Sequence, residues 1–336
     1  MNSPKHILVS RTDRAGDLVL TLPVFSALRR LLPDARLTAH VRTYTAPLLE
    51  SHPDVDDLII DDSRKPLSLL ALARLFHRRA FYATVLVHPS ARAILAAFLA
   101  GIPLRVGRAS NVWQFFLNRP QHQHRSLNEK HEYEYNLDLL QGLGLAAPDI
   151  RPRLFPSVSS VAEARTRLQQ AGLAHTCPVF MHPGHGGSAF NLAPRQYAEL
   201  ANRLLALQIP HCVTFGPGEG HLLSHFGEPV PGLRGFVQDL PDLGQLAALL
   251  SLGRCWVGGS TGPMHLAAAL QLPVAAFFPP LPAMTPKRWG PVGAVTQVFL
   301  PTISSCPRTC SSCVHHPCMS GVNLEPALNW ICRHAL

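Results

Sequence analysis

HILVSRTDRAGDLVLTLPVFSALRRLL, His6–Leu32, begins as a short apolar run, passes through a polar loop holding Arg11, Asp13, Arg14, Gly16 and Asp17, and ends as a helical pattern. A buried strand feeding a helix in this way is the opening unit of a parallel α/β layer. A connecting turn needs no pair of carboxylates and pair of arginines. The loop is therefore a candidate for chemistry as well as for connection.

The alternation continues outward from there. Apolar runs RLTAHV, DLIID and ATVLVH are separated by helical segments such as LSLLALARLFHRR, which predicts a parallel sheet covered by helices on both faces. A less regular stretch and the helix HEYEYNLDLLQGLGL follow. The Pro-rich AAPDIRPRLFPSVSS then interrupts both periodicities and reads as a linker. Beyond it the pattern restarts: CPVFMHPG, HCVTFGPGEG, RCWVGGSTGPMHLAAALQL and PVAAFFPP read as strands, the first three running into glycine loops. PRQYAELANRLLAL carries Tyr197, Leu200, Ala201, Leu204 and Leu205 at helical spacing. The expected organisation is two α/β domains in tandem, 1–155 and 156–336, with a cleft between them.

The chain of 336 residues is long for one core and suits two domains. No apolar run approaches the ~18 residues that a membrane-spanning helix needs, and the amino end lacks the apolar core of a signal peptide. The expectation is a soluble cytoplasmic protein. A formal charge of +9 favours acidic partners: nucleic acid, an anionic membrane surface or phosphorylated small molecules. The basic residues form no long block and aromatics make up 7% of the chain, so a nucleic-acid surface is not expected.

In a parallel sheet the strand-to-helix loops emerge at the carboxyl edge, where ligands of open α/β folds bind. Three unusual loops fall there in the second half: HPGHGGSAFN, GPGEG and GGSTGPMH. Glycine lets backbone approach a ligand closely, and a helix start presents N–H groups to an anion. In the third loop Ser260 and Thr261 can cap the helix, Pro263 suits its first turn, and His265 lies a short step inside. Capping alone would also account for Ser, Thr and Pro. No loop carries the G-K-[ST] of a P-loop or a full G-x-G-x-x-G. A diphosphate held by backbone amides and hydroxyls fits better than a nucleotide triphosphatase or a dinucleotide oxidoreductase.

The motifs RTDRAGDLVLTLP, HEYEYNLDLL, HPGHGGSAFNLAPRQYAEL, FGPGE, GGSTGPMHLAAAL and PKRWGPVG, in this order, resemble glycosyltransferase family 9, the ADP-heptose:lipopolysaccharide heptosyltransferases. The resemblance spans nearly the whole chain. It implies a GT-B fold, with two Rossmann-like doubly wound parallel-sheet domains facing a central cleft, the acceptor in the first and the nucleotide sugar in the second. It also implies that the final helix, EPALNWICRHAL, crosses back toward the first domain. Transfer of this kind needs a base for the acceptor hydroxyl and stabilisation of the departing diphosphate.

By the resemblance Asp17, the aspartate of the G-D step, is the base; a carboxylate at a helix start also reads as a cap. Asp13 either joins it at the catalytic site or holds Arg11 or Arg14 in a salt bridge. Arg11 and Arg14 are candidates for acceptor phosphates, or plain solvated arginines. For the donor, the resemblance implies Gly186, Gly187 and Ser188 along the diphosphate and Glu219 on the ribose, with a cap as its other reading. It implies Leu243 offering backbone to the base, and the loop of Ser260, Thr261, Gly262 and His265 at the sugar diphosphate. Two positions depart from the family: Phe190 stands where a basic residue is expected, and Ser260 where an aspartate is expected. Arg195, Lys287 or Arg288 are candidates to replace the missing cation. His131 and Glu132 belong to a family motif but also read as surface capping.

Of eight cysteines, Cys306, Cys310, Cys313 and Cys318 crowd into CPRTCSSCVHHPCM. Four thiolates in one loop can close a tetrahedral zinc site, although the paired C-x2-C of a zinc ribbon is absent; an iron–sulfur cluster or packed thiols are the alternatives. Cys177, Cys212 and Cys255 adjoin strands and read as small core residues. The resulting expectation is an inverting transferase needing no catalytic cofactor, with a possible structural zinc. Its partners would be ADP-heptose or a related nucleotide sugar and an anionic lipopolysaccharide core. It would act as a monomer in peripheral contact with the cytoplasmic face of the inner membrane.

Overall fold

The structure, a computed structural model, describes residues 5–62, 64–186, 190–302 and 317–335. The chain divides into two compact units, Met1–Phe155 and Pro156–Leu336. The first holds strands β1 (His6–Ser10), β2 (Arg36–Arg42), β3 (Asp57–Asp61), β4 (Ala83–Leu86), β5 (Leu104–Arg108) and β6 (Arg119–Gln121). Its helices are α1 (Ala15–Val19), α2 (Leu22–Leu31), α3 (Leu69–Arg79), α4 (Ala91–Leu99) and α5 (Glu132–Asp138). All strand pairs are parallel, in the order β3-β2-β1-β4-β5-β6. Ile7 therefore has Leu37 on one side and Ala83 on the other. The chain builds outward from β1, then crosses back to β4 and builds the other way. The loops leaving β1 and β4 diverge at this switch point and open a crevice at the carboxyl edge.

The second unit repeats the plan with β7 (Val179–His182), β8 (His211–Thr214), β9 (Arg234–Val237), β10 (Cys255–Gly259), β11 (Val274–Phe277) and β12 (Thr296–Phe299). Its sheet runs β12-β11-β10-β7-β8-β9, again all parallel. The helices are α6 (Val158–Gln170), α7 (Pro194–Ala206), α8 (Leu243–Leu250), α9 (Gly262–Ala269), α10 (Pro286–Trp289), α11 (Pro317–Ser320) and α12 (Glu325–Ala335). The two parallel sheets with flanking helices are the α/β architecture of a GT-B protein. Central strands are buried on both faces, as parallel sheets require, and Trp256, Phe180 and Phe277 are fully enclosed. Among the described residues no helix is long and apolar enough to cross a membrane.

Two local features differ from the sequence reading. The helix after the charged loop is two helices, because Pro23 has no N–H for the carbonyl of Val19 and the ladder breaks at Leu20–Thr21. The linker ends at Ser157, which caps α6 by accepting from Ser160 N at 3.0 Å, so its last residues are helix and not linker. The final helix, α12, buries Ala327, Leu328, Trp330 and Ile331 in the core of the second unit, with β7, β10 and α7.

Candidate active site

The loop after β1 gathers its charges around one guanidinium. Arg11 is 5% exposed; its Nε donates to Asp13 Oδ1 at 2.7 Å and its Nη2 to Asp17 Oδ1 at 2.5 Å. Of the two sequence readings of this residue, a solvated arginine does not hold; Arg11 is buried and gives two of its five N–H donors to the carboxylates. Arg14 is exposed at the start of α1. Asp17 does not cap α1: the helix has no side-chain cap, and the carboxylate turns to Arg11. The other carboxylate oxygen of Asp13 lies 3.2 Å from Nδ1 of His88, in the loop after β4, so both sides of the switch point contribute.

The pair titrates asymmetrically. Burial pushes Asp17 up; Arg11 pulls it down, but the negative charges of Asp13 and Glu132 add to burial and the net shift is upward. Burial also pushes Asp13 up, but the His88 hydrogen bond and Arg11 outweigh it and hold this carboxyl below its ordinary value. A half-buried carboxylate with a raised pKa beside a depressed one is an arrangement suited to proton abstraction at neutral pH.

The motif HEYEYNLDLL supports this loop from α5. His131 takes the cap position, its Nδ1 accepting from Tyr133 N at 3.4 Å and its own N–H donating to Glu134 Oε2 at 2.6 Å. Glu132, read from sequence as part of a family motif or as surface capping, is not a surface cap: it is buried and paired with buried Arg125. Asn136 donates Nδ2 to the carbonyl of Leu20 at 3.0 Å, at the break between α1 and α2. Thr21 closes the same break by donating Oγ1 to Asp17 O at 2.9 Å. His88 was missed from sequence. The strand-to-loop position of VLVHPS marks His88, but only the strand order brings that loop beside the first.

In the second unit the three glycine loops leave the neighbouring strands β8, β7 and β10 at one edge. Glu219 binds two of them together, accepting from Gly216 N at 2.7 Å and Gly186 N at 3.1 Å. It does not cap the turn it precedes. The carboxylate lies so close to Gly184 that a Cβ there would stand 1.9 Å from Oε2. Asn191 makes the second tie: its Nδ2 donates to Pro183 O at 3.0 Å, and its Oδ1 accepts from Tyr197 Oη at 2.6 Å. A Cβ on Gly259 would meet that oxygen at 2.4 Å, so any other residue at the end of β10 would displace the Asn191 amide from these bonds.

Thr261 occupies the cap position of α9 without capping it; its hydroxyl points back to Gly259 O at 3.4 Å, contrary to the expected cap. Ser260 is half-buried, Gly262 begins the helix, and His265 is buried in its first turns. Leu243 begins α8 behind Asp242, whose side chain accepts from Gln245 N at 2.8 Å. Phe190 packs against the apolar core of the unit. Gly187 and Ser188 lie outside the described residues.

Cys306, Cys310 and Cys313 also lie outside the described residues, and Cys318 packs beside the second core. Among the described residues no group of three His, Cys, Asp or Glu could hold a metal ion. Cys212 and Cys255 are buried thiols, Cys255 pushed up to about 12 by burial; Cys177 is exposed rather than core, because it precedes Pro178 and β7.

Comparison with known proteins follows the same lines. A family model described as glycosyltransferase family 9 (heptosyltransferase) matches residues 70–321. A Haemophilus influenzae protein named "Putative glycosyltransferase" is 33% identical over 303 residues, covering 87% of this chain and 88% of that one. Lipopolysaccharide heptosyltransferase 3 of Escherichia coli is 24% identical over 283 residues, covering 78% and 80%. Among solved structures, a family 9 glycosyltransferase from Veillonella parvula superposes with a TM-score of 0.86 at 18% identity, over 100% of this chain and 98% of its own. ADP-heptose lipopolysaccharide heptosyltransferase II of E. coli gives 0.80 at 18% identity, with 98% of both chains covered.

Proposed function

The chain belongs to glycosyltransferase family 9, and from that premise we propose that it transfers heptose from ADP-heptose to a lipopolysaccharide core, with inversion at the anomeric carbon. The observation that carries the reading is the Asp13–Arg11–Asp17 arrangement at the switch point of the first sheet. As the acceptor hydroxyl oxygen bonds to the anomeric carbon, Asp17 takes its proton. The bond from that carbon to the diphosphate breaks and ADP leaves with the electron pair. One in-line displacement inverts the centre. Arg11 keeps the base in place, Asp13 keeps its affinity for the proton high, and exposed Arg14 offers a cation to acceptor phosphate.

The donor would lie along the edge of the second sheet. Gly186 and the N-terminal turn of α9, with Ser260, Thr261, Gly262 and His265, would face the sugar diphosphate. Glu219 would reach the ribose while each of its oxygens keeps one loop N–H, and the start of α8 at Leu243 would meet the base. Relatives named as lipopolysaccharide heptosyltransferases support heptose as the sugar.

Phe190 favours a second reading, a different nucleotide sugar, because an apolar side chain committed to the core stands where the resemblance calls for a cation. The test is product formation from ADP-heptose and a truncated lipopolysaccharide acceptor by the parent protein and by Asp17→Ala. Turnover by the parent with near-complete loss in the folded variant is expected. Donor binding without turnover by the parent would overturn the acceptor assignment, and absence of both would favour the different donor.

A further inference from the structure

We propose that the outer face of the first unit, made by α3, α4 and the 3₁₀ segment Val112–Phe116, docks on an anionic lipid bilayer. Two observations meet there, and the first is charge. Between Asp62 and Glu129 the chain has no Asp or Glu and carries ten Lys and Arg, against a formal +9 for all 336 residues. The positive excess, although it forms no block, is concentrated in this stretch and not dispersed. Arg79, Arg92 and Arg125 are answered by Asp57, Asp61 and Glu132, and Arg105 donates to the carbonyls of Ile102 and Phe116. Arg64, Lys65, Arg74, Arg78 and Arg119 are exposed.

The second observation is apolar exposure on the same elements. Phe115 is 81% exposed, Val112 64%, Leu70 59%, Leu99 52% and Phe98 44%. These side chains share one foundation: α3 and α4 pack through Leu72, Phe76, Ile94 and Ala97, and the Phe98 ring lies 5.1 Å from that of Phe116. His77 Nδ1, near the end of α3, sits 3.2 Å from Ala100 O and holds the ends of the two helices together. On α3 the exposed Leu70, Arg74 and Arg78 follow at four-residue spacing and form one stripe of mixed apolar and basic character.

Clustered exposed aromatics mark an interaction surface. Apolar groups alone would suit a protein or a second copy of the chain. Exposed Arg74 and Arg78 on α3, and Arg64, Lys65 and Arg119 in the flanking segments of a stretch without Asp or Glu, favour a partner that is apolar within and densely negative at its face, which is an anionic bilayer. The surface also leads toward the carboxylate loop. Asn111, at the head of the 3₁₀ segment, donates Nδ2 to Pro89 O at 3.4 Å, and Pro89 follows His88. Docking here would bring a lipid-borne acceptor to Asp17. In that purpose the inference rests on the proposed function, although the binding itself does not.

The full-length protein is sedimented with phosphatidylcholine vesicles, with and without phosphatidylglycerol, at low and high salt. Expected is binding that requires phosphatidylglycerol, weakens with salt, and falls by at least ~10-fold in the double variant Phe98→Glu, Phe115→Glu. Val158→Glu, at an exposed apolar position of the second unit, should leave binding unchanged. Circular dichroism melting checks that each variant is folded. Absence of lipid-dependent sedimentation by the parent, or binding indifferent to the double variant, would overturn the proposal. So would self-association in analytical ultracentrifugation that the double variant abolishes, without vesicle binding; the face would then join two copies. Turnover of a short water-soluble acceptor separates the readings. Turnover without vesicle binding removes the docking surface alone, and vesicle binding without turnover removes the transfer reading alone.

Discussion

Asp13 and Asp17 share one guanidinium and yet shift in opposite directions, and the cause lies in their other neighbours. Asp13 has the His88 hydrogen bond and Asp17 has none like it, while each carboxylate repels the other. If Asp17 is the base, kcat/KM rises with pH as it loses its proton, with an acid limb above the ordinary value of an aspartate. Asp13→Asn removes one negative neighbour, so the pKa of Asp17 falls and the acid limb moves to lower pH. A pH–rate profile of kcat/KM for parent and variant reads this directly; an unmoved limb assigns it to another group. Asp17→Asn should lower kcat by about 10²–10⁴-fold with donor affinity retained in isothermal titration, the range for loss of a positioned base.

At the scale of elements, α5 holds the site from behind through one side-chain amide. Asn136 is fully buried and satisfies the Leu20 carbonyl at the break between α1 and α2, directly after Asp17. Asn136→Ala leaves that carbonyl without this donor, a loss of about 1–3 kcal/mol in urea unfolding. It should also reduce kcat more than it raises the donor KM, because the loop it steadies carries the base and not the donor site. An equal change in both would mean the amide serves stability alone. This support was not legible in the sequence. HEYEYNLDLL announced a helix and a family motif, but neither the pairing of Glu132 with Arg125 nor the reach of Asn136 follows from spacing, since their partners stand at other points of the chain. The charged loop after β1 and the three glycine loops were legible, because each is local: an apolar run, then residues that a turn does not need. Edge strands such as β12, exposed in its first half, carry too little apolar signal to be read.

For the whole molecule, strand alternation was enough to give two α/β units, but not the strand order that places His88 across from Asp13. Both units carry buried groups that answer to acid. Asp61 of the first unit is buried, and although burial pushes it up, His40 and Arg92 hold it at about 2. Its stabilisation is present above the ordinary value of 3.8 and is lost as pH falls toward 2. Buried histidines answer at milder pH, among them His52 of the first unit and His211 of the second. His211 is fully buried; its Nδ1 lies 3.1 Å from Ile209 O, Arg234 Nε donates to its Nε2 at 3.3 Å, and burial lowers it from 6.5 to about 4. Below 6.5 the unfolded chain binds a proton that the folded unit refuses, so stability present above 6.5 is lost as pH falls toward 4. The slope is about 1.4 kcal/mol per pH unit, reaching about 3 kcal/mol in all. His211→Gln keeps an acceptor for Arg234 and removes the proton site, so it should flatten this slope in residues 156–335. The first unit should retain its own dependence on pH. Hydrogen-exchange mass spectrometry between pH 7 and pH 4, corrected for intrinsic exchange, measures each unit in one experiment; an unchanged slope in the variant would place the mild-acid sensitivity on His182, the other buried histidine of that sheet.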